Sequence, residues 1–350
     1  MKRALITDTH FGIKKNNQDF LNSQIKFFKT EFIPYLKQNQ ISDIDILGDL
    51  FDTRVAVNTM IMNSVIYLFE EMRDFNITIF PGNHDSYYFT STDIHSLQFL
   101  KKYKNVEVIE KITSKKFGDK SITYIPWQTN LDEFQSLLER DNIKGDVCLC
   151  HMDIASFSMN KYQLSHDGIS PTVLFDRFKR TFSGHYHTRS IKKQLENDIV
   201  YVGAPYQLTR NDLGEERGFC ILDLDDLSYQ FINNTSSIKF IAINYQQEIN
   251  ENLIVGNIID VLVEYNQSYD ALQLEKYIKE VEKYKPLGNV NVKVLNNFLS
   301  ENEVKEFDIY KIKTIPELIE EYLMLSEIEE KDQIRKIMNE LYEETKEVVV

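Results

Sequence analysis

Five short polar clusters in this sequence combine carboxylate, amide and imidazole side chains. They are Asp8-x-His10, Gly48-Asp49-x-x-Asp52, Gly82-Asn83-His84-Asp85, His151 and Gly184-His185-x-His187. Divalent cations such as Mn²⁺ and Fe²⁺ accept carboxylate oxygen, amide oxygen and imidazole nitrogen together. The chain has seven histidines, and five of them lie in these clusters. The residue types therefore predict a site for two divalent metal ions, the kind of centre that hydrolyses phosphoesters.

Two of the clusters place potential ligands two residues apart. Residues at this spacing on an extended strand end point the same way, so Asp8 and His10 can bind one ion. His185 and His187 repeat the arrangement. An aspartate between two ions can bridge them with its two oxygens, and Asp49 is the candidate. Each cluster alone is more often a helix cap, a turn or a core histidine, but their joint occurrence after successive strands favours the metal site.

Short apolar strands precede the clusters and alternate with helical patterns in the first part of the chain. Helices are predicted over residues 18–38, 58–72 and 92–103, the last with Thr92 or Asp93 as its N-cap. This alternation predicts an α/β domain with parallel strands, and such sheets gather ligands beyond the C-terminal ends of their strands. The glycines of the clusters are expected to allow tight turns at the strand exits.

The patterns of strands, helices and charges divide the chain into four parts. A large domain is predicted over residues 1–238, and its strand-rich second half favours two stacked sheets. A small α/β domain follows over 239–299, then a charged linker over 300–313 and a helical hairpin over 314–350.

The predicted hairpin consists of two amphipathic helices. Capping boxes begin them at Thr314 and Ser326. Apolar positions at helical spacing form a stripe on each helix, made up of Leu318, Tyr322, Leu325, Ile334, Ile337, Met338 and Leu341. Because short isolated helices are marginally stable, the hairpin is expected either to pack on its own domain or to dock against a coiled coil.

Composition limits the classes of protein to be considered. The net charge of −14 predicts weak non-specific affinity of the isolated chain for DNA. No apolar run approaches the length of about 20 residues that spans a bilayer, and the interrupted apolar start argues against a targeting segment. The three cysteines, Cys148, Cys150 and Cys220, lack CxxC spacing. They favour a reducing compartment, and Cys148 and Cys150 are expected to pack in the core.

The motifs TDTH, GDLFD, GNHD, CHMD and SGHYH resemble those of the calcineurin-like metallophosphoesterases, and more narrowly those of the SbcD (Mre-type) DNA repair nuclease family. VGAPYQLTRND followed by ERGF is similar to the segment that follows the last motif of that family. The short length and helical tail are similar to the recombination endonuclease subunits of T-even phages. The resemblance implies an α/β fold: a two-sheet sandwich flanked by helices, with a small α/β capping domain and a C-terminal helical hairpin.

The resemblance also implies a role for each matching residue. One metal ion would be bound by Asp8, His10 and His187. The other would be bound by Asn83, His151 and His185, with Asp49 bridging the two. His84 would be the catalytic histidine close to the scissile phosphate, and Asp85 would orient it by a hydrogen bond. Relatives differ at the position of Asp52, for which a structural or supporting role is expected.

The activity implied by the resemblance is Mn²⁺-dependent DNA cleavage, exonucleolytic on duplex ends and endonucleolytic on single strands. Such a chain would be the nuclease subunit of an ATP-dependent complex in double-strand-break processing, recombination and replication. Its partner would be an SbcC-type coiled-coil ATPase bound by the tail hairpin. A homodimer through helices near residues 58–72 and 92–101 is implied as well, as is a location in the cytoplasm of the host if a phage encodes the chain.

Two other functions compete with this interpretation. A phosphomonoesterase or protein phosphatase could use the same metal centre, but such enzymes usually have GNHE and a DRG-like segment. This chain has GNHD and Asp52-Thr53-Arg54 instead. A non-catalytic scaffold with the same fold would be expected to have lost metal ligands, and no expected position is lost.

Overall fold

The computed structural model describes residues 1–140, 143–160, 163–165, 168–264 and 271–295, together with Lys331. The described residues up to 263, and those from 271 to 295, belong to one compact unit. The predicted linker, the hairpin apart from Lys331, and all seven of its docking residues lie outside the described residues. The three boundaries between the four predicted parts therefore stay predictions.

Most strands and helices of the large domain lie where the apolar patterns predict them. The strands are β1 (Lys2–Ile6), β2 (Asp43–Ile46), β3 (Asn76–Ile79), β4 (Val106–Val108), β5 (Thr113–Phe117), β6 (Lys120–Ile125), β7 (Gly145–His151), β8 (Ser158–Asn160), β9 (Gln163–Leu164), β10 (Phe178–Gly184), β11 (Ser190–Gln194), β12 (Asn197–Tyr201), β13 (Gly218–Asp223) and β14 (Tyr229–Asn233). The helices are α1 (Ile13–Asn16), α2 (Gln18–Phe27), α3 (Ile33–Gln38), α4 (Thr59–Glu71), α5 (Leu131–Arg140) and α6 (Pro171–Phe175).

Two six-stranded sheets form the domain, in the orders β14-β13-β1-β2-β3-β4 and β11-β12-β10-β7-β6-β5. Each has a core of four parallel strands, β1 to β4 in the first sheet and β6, β7, β10 and β12 in the second. The parallel α/β prediction is therefore confirmed. The last two strands of the domain, β13 and β14, return to the first sheet, where β13 pairs antiparallel with β1 and with β14.

Three apolar clusters give the domain four layers. The first sheet packs on α2, α3 and α4 through one cluster. A second cluster joins the two sheets, for example Leu5 and Leu222 with Val147 and Phe182. On the outer face of the second sheet, Cys148 and other residues pack with α5 and α6. This is the predicted sandwich flanked by helices, and the buried free cysteines confirm the predicted core role of Cys148 and Cys150.

A buried ionic group also connects the two sheets. Arg3 of β1 is 2 % exposed and donates from Nε and Nη2 to the carboxylate of Asp45 on β2, at 2.6 and 2.9 Å. Tyr124 of β6, in the other sheet, donates its hydroxyl proton to the same carboxylate at 3.2 Å. Because each buried polar group has a charged or hydrogen-bonding partner, the free-energy cost of burying them is offset.

The helices of the first layer follow the predicted ranges with two local differences. Residues 18–38 are helical throughout, but Phe28–Phe32 form a π-helical turn between α2 and α3. The third predicted helix is a 3₁₀ helix over Ser96–Lys102, and its N-cap is His95. The prediction of Thr92 or Asp93 as the cap is wrong. Ser86 and His95 form a β-bridge, and this bridge keeps Thr92 and Asp93 in the loop before the helix.

A three-stranded sheet follows the large domain, in the order β15 (Phe240–Asn244), β16 (Ile258–Glu264) and β17 (Asn291–Leu295), with helices α7 (Glu251–Ile254) and α8 (Ala271–Glu282). Gln207 Oε1 accepts a hydrogen bond from Phe240 N at 2.7 Å, and Arg210 pairs with Asp260 at 3.0 Å. Within the described part of the chain, no helix has both the length and the apolar character needed to cross a bilayer.

Candidate metal centre

The five polar clusters converge at the carboxyl ends of parallel strands, as the α/β pattern predicts. Asp8 and His10 follow β1, Asp49 follows β2 and Asn83 follows β3 of the first sheet. The second sheet contributes His151 from the end of β7, and His185 and His187 after β10. Backbone hydrogen bonds fix the first two loops side by side, with Asp8 N donating to Gly48 O at 3.2 Å and His10 N donating to Asp49 O at 3.1 Å.

Four of the seven predicted metal ligands have a left-handed backbone conformation. The φ angles are 51° at Asp8, 43° at His10, 53° at Asp49 and 93° at His185. Each such residue costs on the order of 1–3 kcal/mol and persists where surrounding contacts hold it. The conformations turn these side chains from the strand ends toward a common centre, so the backbone strain is concentrated at the candidate site.

The glycines of the clusters have different roles. Gly48 has φ +87°, which agrees with the predicted tight turn. Gly82 has no left-handed conformation, but a Cβ there would lie 2.2 Å from Oδ1 of Asp49. Likewise, a Cβ at Gly184 would lie 2.1 Å from the Thr7 hydroxyl. These two glycines are required for close approach and not for backbone conformation, which corrects the prediction for them.

One group of potential ligands consists of Asp8, His10 and His187, whose ligand atoms lie within 4.8 Å of one another. The Nε2 atoms of His10 and His187 face each other at 3.0 Å. Burial lowers the pKa of both imidazoles, and that of His10 falls well below its ordinary value. Both rings are therefore neutral near pH 7 and can present ring nitrogens to a cation.

A second group consists of Asn83, His151 and His185. The Asn83 Oδ1 atom lies 3.0 Å from His151 Nε2 and 2.9 Å from His185 Nδ1. The outer nitrogens of both rings have acceptors: His151 Nδ1 donates to Leu47 O at 2.8 Å, and His185 Nε2 pairs with Asp153 Oδ1 at 2.9 Å. The inner nitrogens of the two rings, Nε2 of His151 and Nδ1 of His185, both face the Asn83 oxygen.

This geometry fits a metal ion. Once the two inner nitrogens lose their protons, they and the amide oxygen are three donor atoms that converge on one point. Fixing the outer nitrogen of a histidine by a carbonyl or a carboxylate is also how proteins orient metal-bound imidazoles. The amide, carboxylate and imidazole donors match the prediction of hard or borderline divalent ions.

Asp49 lies between the two groups. Its Oδ2 atom is 3.7 Å from His10 Nε2 and 3.4 Å from His151 Nε2. Burial works to raise the pKa of Asp49, but the imidazoles of His151 and His10 lower it, so the side chain is a carboxylate. Burial opposes a charge on His151, yet the Asp49 carboxylate raises the pKa of His151 to about 10. The Asp49 carboxylate thus stabilises positive charge next to it, which is what a carboxylate that bridges two cations must do.

His84 lies beside the first group, with its ring centroid 4.8 Å from that of His10. Its Nδ1 donates to the backbone carbonyl of Asp52 at 2.7 Å, and its backbone N–H donates to Asp49 Oδ1 at 2.8 Å. A nitrogen of His84 also lies within 4.8 Å of ligand atoms of His10 and Asp49. Its assignment as a catalytic group and not a ligand therefore stays a prediction.

The hydrogen bond predicted from Asp85 to His84 is replaced by a different arrangement. The Asp85 carboxylate accepts from Gly82 N at 3.0 Å and from Leu50 N at 3.1 Å, so it ties together the loops after β2 and β3. Burial and the charge of Asp49 raise the pKa of Asp85 to about 6. The carbonyl of Asp52 orients His84 instead. The Asp52 carboxylate lies 3.6 Å from His10 Nδ1, and burial raises the pKa of Asp52.

Two residues near the centre were not singled out from the sequence. Asp153 fixes the outer nitrogen of His185 and also accepts a hydrogen bond from the Tyr186 hydroxyl at 2.7 Å. Trp127, the single tryptophan, has its ring centroid 5.1 Å from that of His185. The CHMD motif contained the signal for Asp153, because that residue follows His151 by two positions.

Comparison with known proteins identifies the family. The sequence profile described as calcineurin-like phosphoesterase matches residues 1–216. The chain belongs to this family. It is 29 % identical over 354 residues to exonuclease subunit 1 of Enterobacteria phage T4, a match that covers 98 % of this chain and 99 % of the relative.

Two further relatives are more distant. The DNA double-strand break repair protein Mre11 of Sulfurisphaera tokodaii is 25 % identical, covering 91 % of this chain and 87 % of the relative. A subunit of the SbcCD nuclease of Staphylococcus epidermidis is 23 % identical, covering 73 % and 76 %. These matches confirm the resemblance to SbcD-type proteins and the prediction of a metal-dependent phosphodiesterase. The family uses a dinuclear divalent-metal site, for which the chain has candidate ligands.

Proposed function

We propose that this chain is a Mn²⁺-dependent DNA nuclease with two metal ions, acting as an exonuclease on duplex ends and as an endonuclease on single strands. The observation that carries the proposal is that the inner nitrogens of His151 and His185 converge on the Asn83 oxygen, with the Asp49 carboxylate beside His151. The names of the relatives, two nuclease subunits and a double-strand break repair protein, support DNA as the substrate.

The ligand sets follow the two groups of side chains. We assign Asp8, His10 and His187 to one ion, and Asn83, His151 and His185 to the other, with Asp49 shared. When bound, two divalent ions supply an activated water and neutralise the charge of the phosphate. The left-handed residues and close-packed glycines keep the donors in place before any ion binds, so little reorganisation accompanies metal binding.

His84 is proposed as the catalytic residue that handles the leaving group. Because its Nδ1 donates to the Asp52 carbonyl, the opposite nitrogen, Nε2, is the one that gains or loses a proton. A protonated Nε2 can donate its proton to the leaving oxygen or stabilise negative charge there. The carbonyl of Asp52 holds the ring in the orientation that this transfer needs.

The chain is further proposed to act within a larger assembly. One relative is named as a subunit of SbcCD, and the proposed partner is an SbcC-type coiled-coil ATPase. The docking segment would be the predicted hairpin over residues 314–350, and a homodimer belongs to the same proposal. The acidic net charge of −14 makes a partner that supplies basic surface useful for DNA binding.

A comparison of substrates tests the proposal. The purified protein would be assayed with Mn²⁺ or Mg²⁺ on linear duplex DNA, circular single-stranded DNA and p-nitrophenyl phosphate, with and without the ATPase and ATP. We expect cleavage of both DNA substrates with Mn²⁺, and little hydrolysis of the phosphomonoester. Efficient hydrolysis of the phosphomonoester without cleavage of DNA would instead establish the phosphatase alternative.

A further inference from the structure

Three consecutive aromatic side chains follow the GNHD motif and are open to solvent. The exposed fractions are 42 % for Tyr87, 48 % for Tyr88 and 76 % for Phe89. In the part of the chain that the structure describes, one other tyrosine or phenylalanine, Tyr67 on α4, is exposed to a similar degree. Clustered exposed rings are unfavourable in water and mark a binding surface more often than isolated ones do.

The loop that carries these rings is fixed at its base. Tyr87 N donates to Ile94 O at 2.8 Å, and Ser86 forms an antiparallel bridge with His95. His95 is itself buried and pairs with Glu110 at 2.8 Å. The rings are therefore displayed at a defined position next to the end of β3.

A cation accompanies the rings. The Arg54 guanidinium lies over the ring of Phe89, 4.0 Å from its centroid. Arg54 is two residues from Asp52, the residue whose carbonyl orients His84. Tyr87 is three residues from His84, a span of at most about 11 Å. Tyr87 and Arg54 are thus close in the chain to residues around the candidate metal centre, and Arg54 is near enough to Asp49 to interact with its charge.

We infer that Arg54, Tyr87, Tyr88 and Phe89, here called the aromatic platform, bind unpaired bases of single-stranded DNA beside the metal centre. The inference rests on the proposed nuclease function and adds the part of the substrate that this surface contacts. Every base has a π face, so stacking on aromatic rings is tolerant of sequence. Paired bases in a duplex are already stacked, so the platform discriminates in favour of single strands and frayed ends.

The overall charge of the chain makes this contact more important. A net charge of −14 opposes the general attraction to phosphates on which many DNA-binding proteins rely. Stacking does not depend on net charge, and Arg54 supplies one cation beside the Phe89 ring for a phosphate of the bound strand. Single-stranded DNA offers an unpaired base, which can stack on the aromatic rings, and a phosphate, which can pair with Arg54.

The test compares two single-stranded substrates of equal length and charge. One is oligothymidylate, and the other has abasic tetrahydrofuran residues in place of thymidine. We expect the wild-type protein with Mn²⁺ to cleave the thymidine substrate more efficiently, by about 5- to 150-fold for each stacked base. Phe89→Leu should bring the ratio of the two cleavage efficiencies, thymidine substrate over abasic substrate, closer to one. Phe89→Trp should keep that ratio near the wild-type value. Tyr88→Ala is a second disrupting variant, and Leu195→Ala, at a side chain that is 97 % exposed in the turn between β11 and β12, is the control whose ratio should not change.

Several results would overturn the inference. Equal cleavage of both substrates by the wild type would refute the platform while leaving the nuclease function intact. Absence of cleavage together with hydrolysis of p-nitrophenyl phosphate would refute both. If Phe89→Leu kept the wild-type ratio, an apolar side chain at position 89 would be enough for base binding, and the inference that an aromatic ring stacks on the base would be wrong. If Phe89→Leu instead converted a dimer into a monomer in analytical ultracentrifugation, the patch would be an interface between copies of the chain.

Discussion

The two groups of candidate ligands differ in how firmly the protein fixes their imidazoles. In the group with Asn83, the outer nitrogens of His151 and His185 have acceptors at 2.8 and 2.9 Å. In the other group, His10 Nδ1 is buried without a hydrogen-bond partner, and the nearest carboxylate, that of Asp52, is 3.6 Å away. The protein therefore holds the outer N–H groups of His151 and His185 in place but has no acceptor for Nδ1 of His10.

This difference has a consequence for metal affinity. An outer carboxylate or carbonyl orients the ring and makes the inner nitrogen more basic, which typically changes metal affinity by about 10- to 100-fold. We therefore expect the ion bound by Asn83, His151 and His185 to be held more tightly than the ion bound by Asp8, His10 and His187. The more weakly held ion is also the one beside His84, so its occupancy should limit activity at low Mn²⁺.

The largest effect is expected from Asp49→Asn, because this change removes the one carboxylate shared by both groups. Hydrolysis of DNA should fall by more than about 10⁴-fold, and the protein should lose both bound ions. Nuclease assays and metal analysis of the purified variant measure these effects. The matched control is Asp146→Asn, near the start of β7, whose carboxylate bonds Ser121 and Lys179 away from the centre. Retention of two tightly bound ions by Asp49→Asn would contradict the bridging role.

His84→Ala separates chemistry from metal binding. Loss of a residue that transfers a proton typically lowers the rate by roughly 100- to 10,000-fold, whereas neither ion should be released. We expect the Mn²⁺ stoichiometry by calorimetry to match that of the wild type. If the variant bound one ion fewer, His84 would be a ligand of the group beside it. Undiminished cleavage of DNA would rule out both roles.

Several of these features could be predicted from the sequence because they depend on local rules. Apolar runs predicted the parallel strands, and the C-terminal ends of such strands meet, so Asp8, Asn83 and His185 could be expected to converge. The return of β13 to the first sheet could not be predicted, because pairing with β1 joins residues more than 200 positions apart and has no local pattern.

The supporting contacts of the centre were harder to predict for a different reason. The acceptors for His151 and His84 are the backbone carbonyls of Leu47 and Asp52. A carbonyl is present at every residue, so the sequence contains no sign of which ones are used. For Asp85 the side chain is conspicuous in the sequence, but its hydrogen-bond partners are not. Its place in GNHD suggested a bond to His84, but the loops bring the amides of Gly82 and Leu50 to its carboxylate.

Asp153→Asn should affect one group and not the other. Asparagine keeps an acceptor for His185 but removes the charge, so we expect affinity for the tightly held ion to fall by about 10-fold. Trp127 provides a selective measurement, because its ring lies 5.1 Å from that of His185 and bound Mn²⁺ should quench its fluorescence. A shift in the midpoint of this quenching is the expected result. An unchanged midpoint would mean that Asp153 does not tune the site.

The smallest effect is expected from Asp52→Asn, the equivalent change beside His10. At 3.6 Å from His10 Nδ1, the Asp52 carboxylate is too distant for a normal hydrogen bond. The backbone carbonyl that holds His84 is unaffected by the substitution. Affinity for the weakly held ion, measured by calorimetry, should therefore change by less than about 3-fold, a fraction of the effect typical of an engaged supporting carboxylate. A decrease as large as that of Asp153→Asn would show that the two groups are supported alike, because Asp52 would then have to move into contact with His10 when the ion binds.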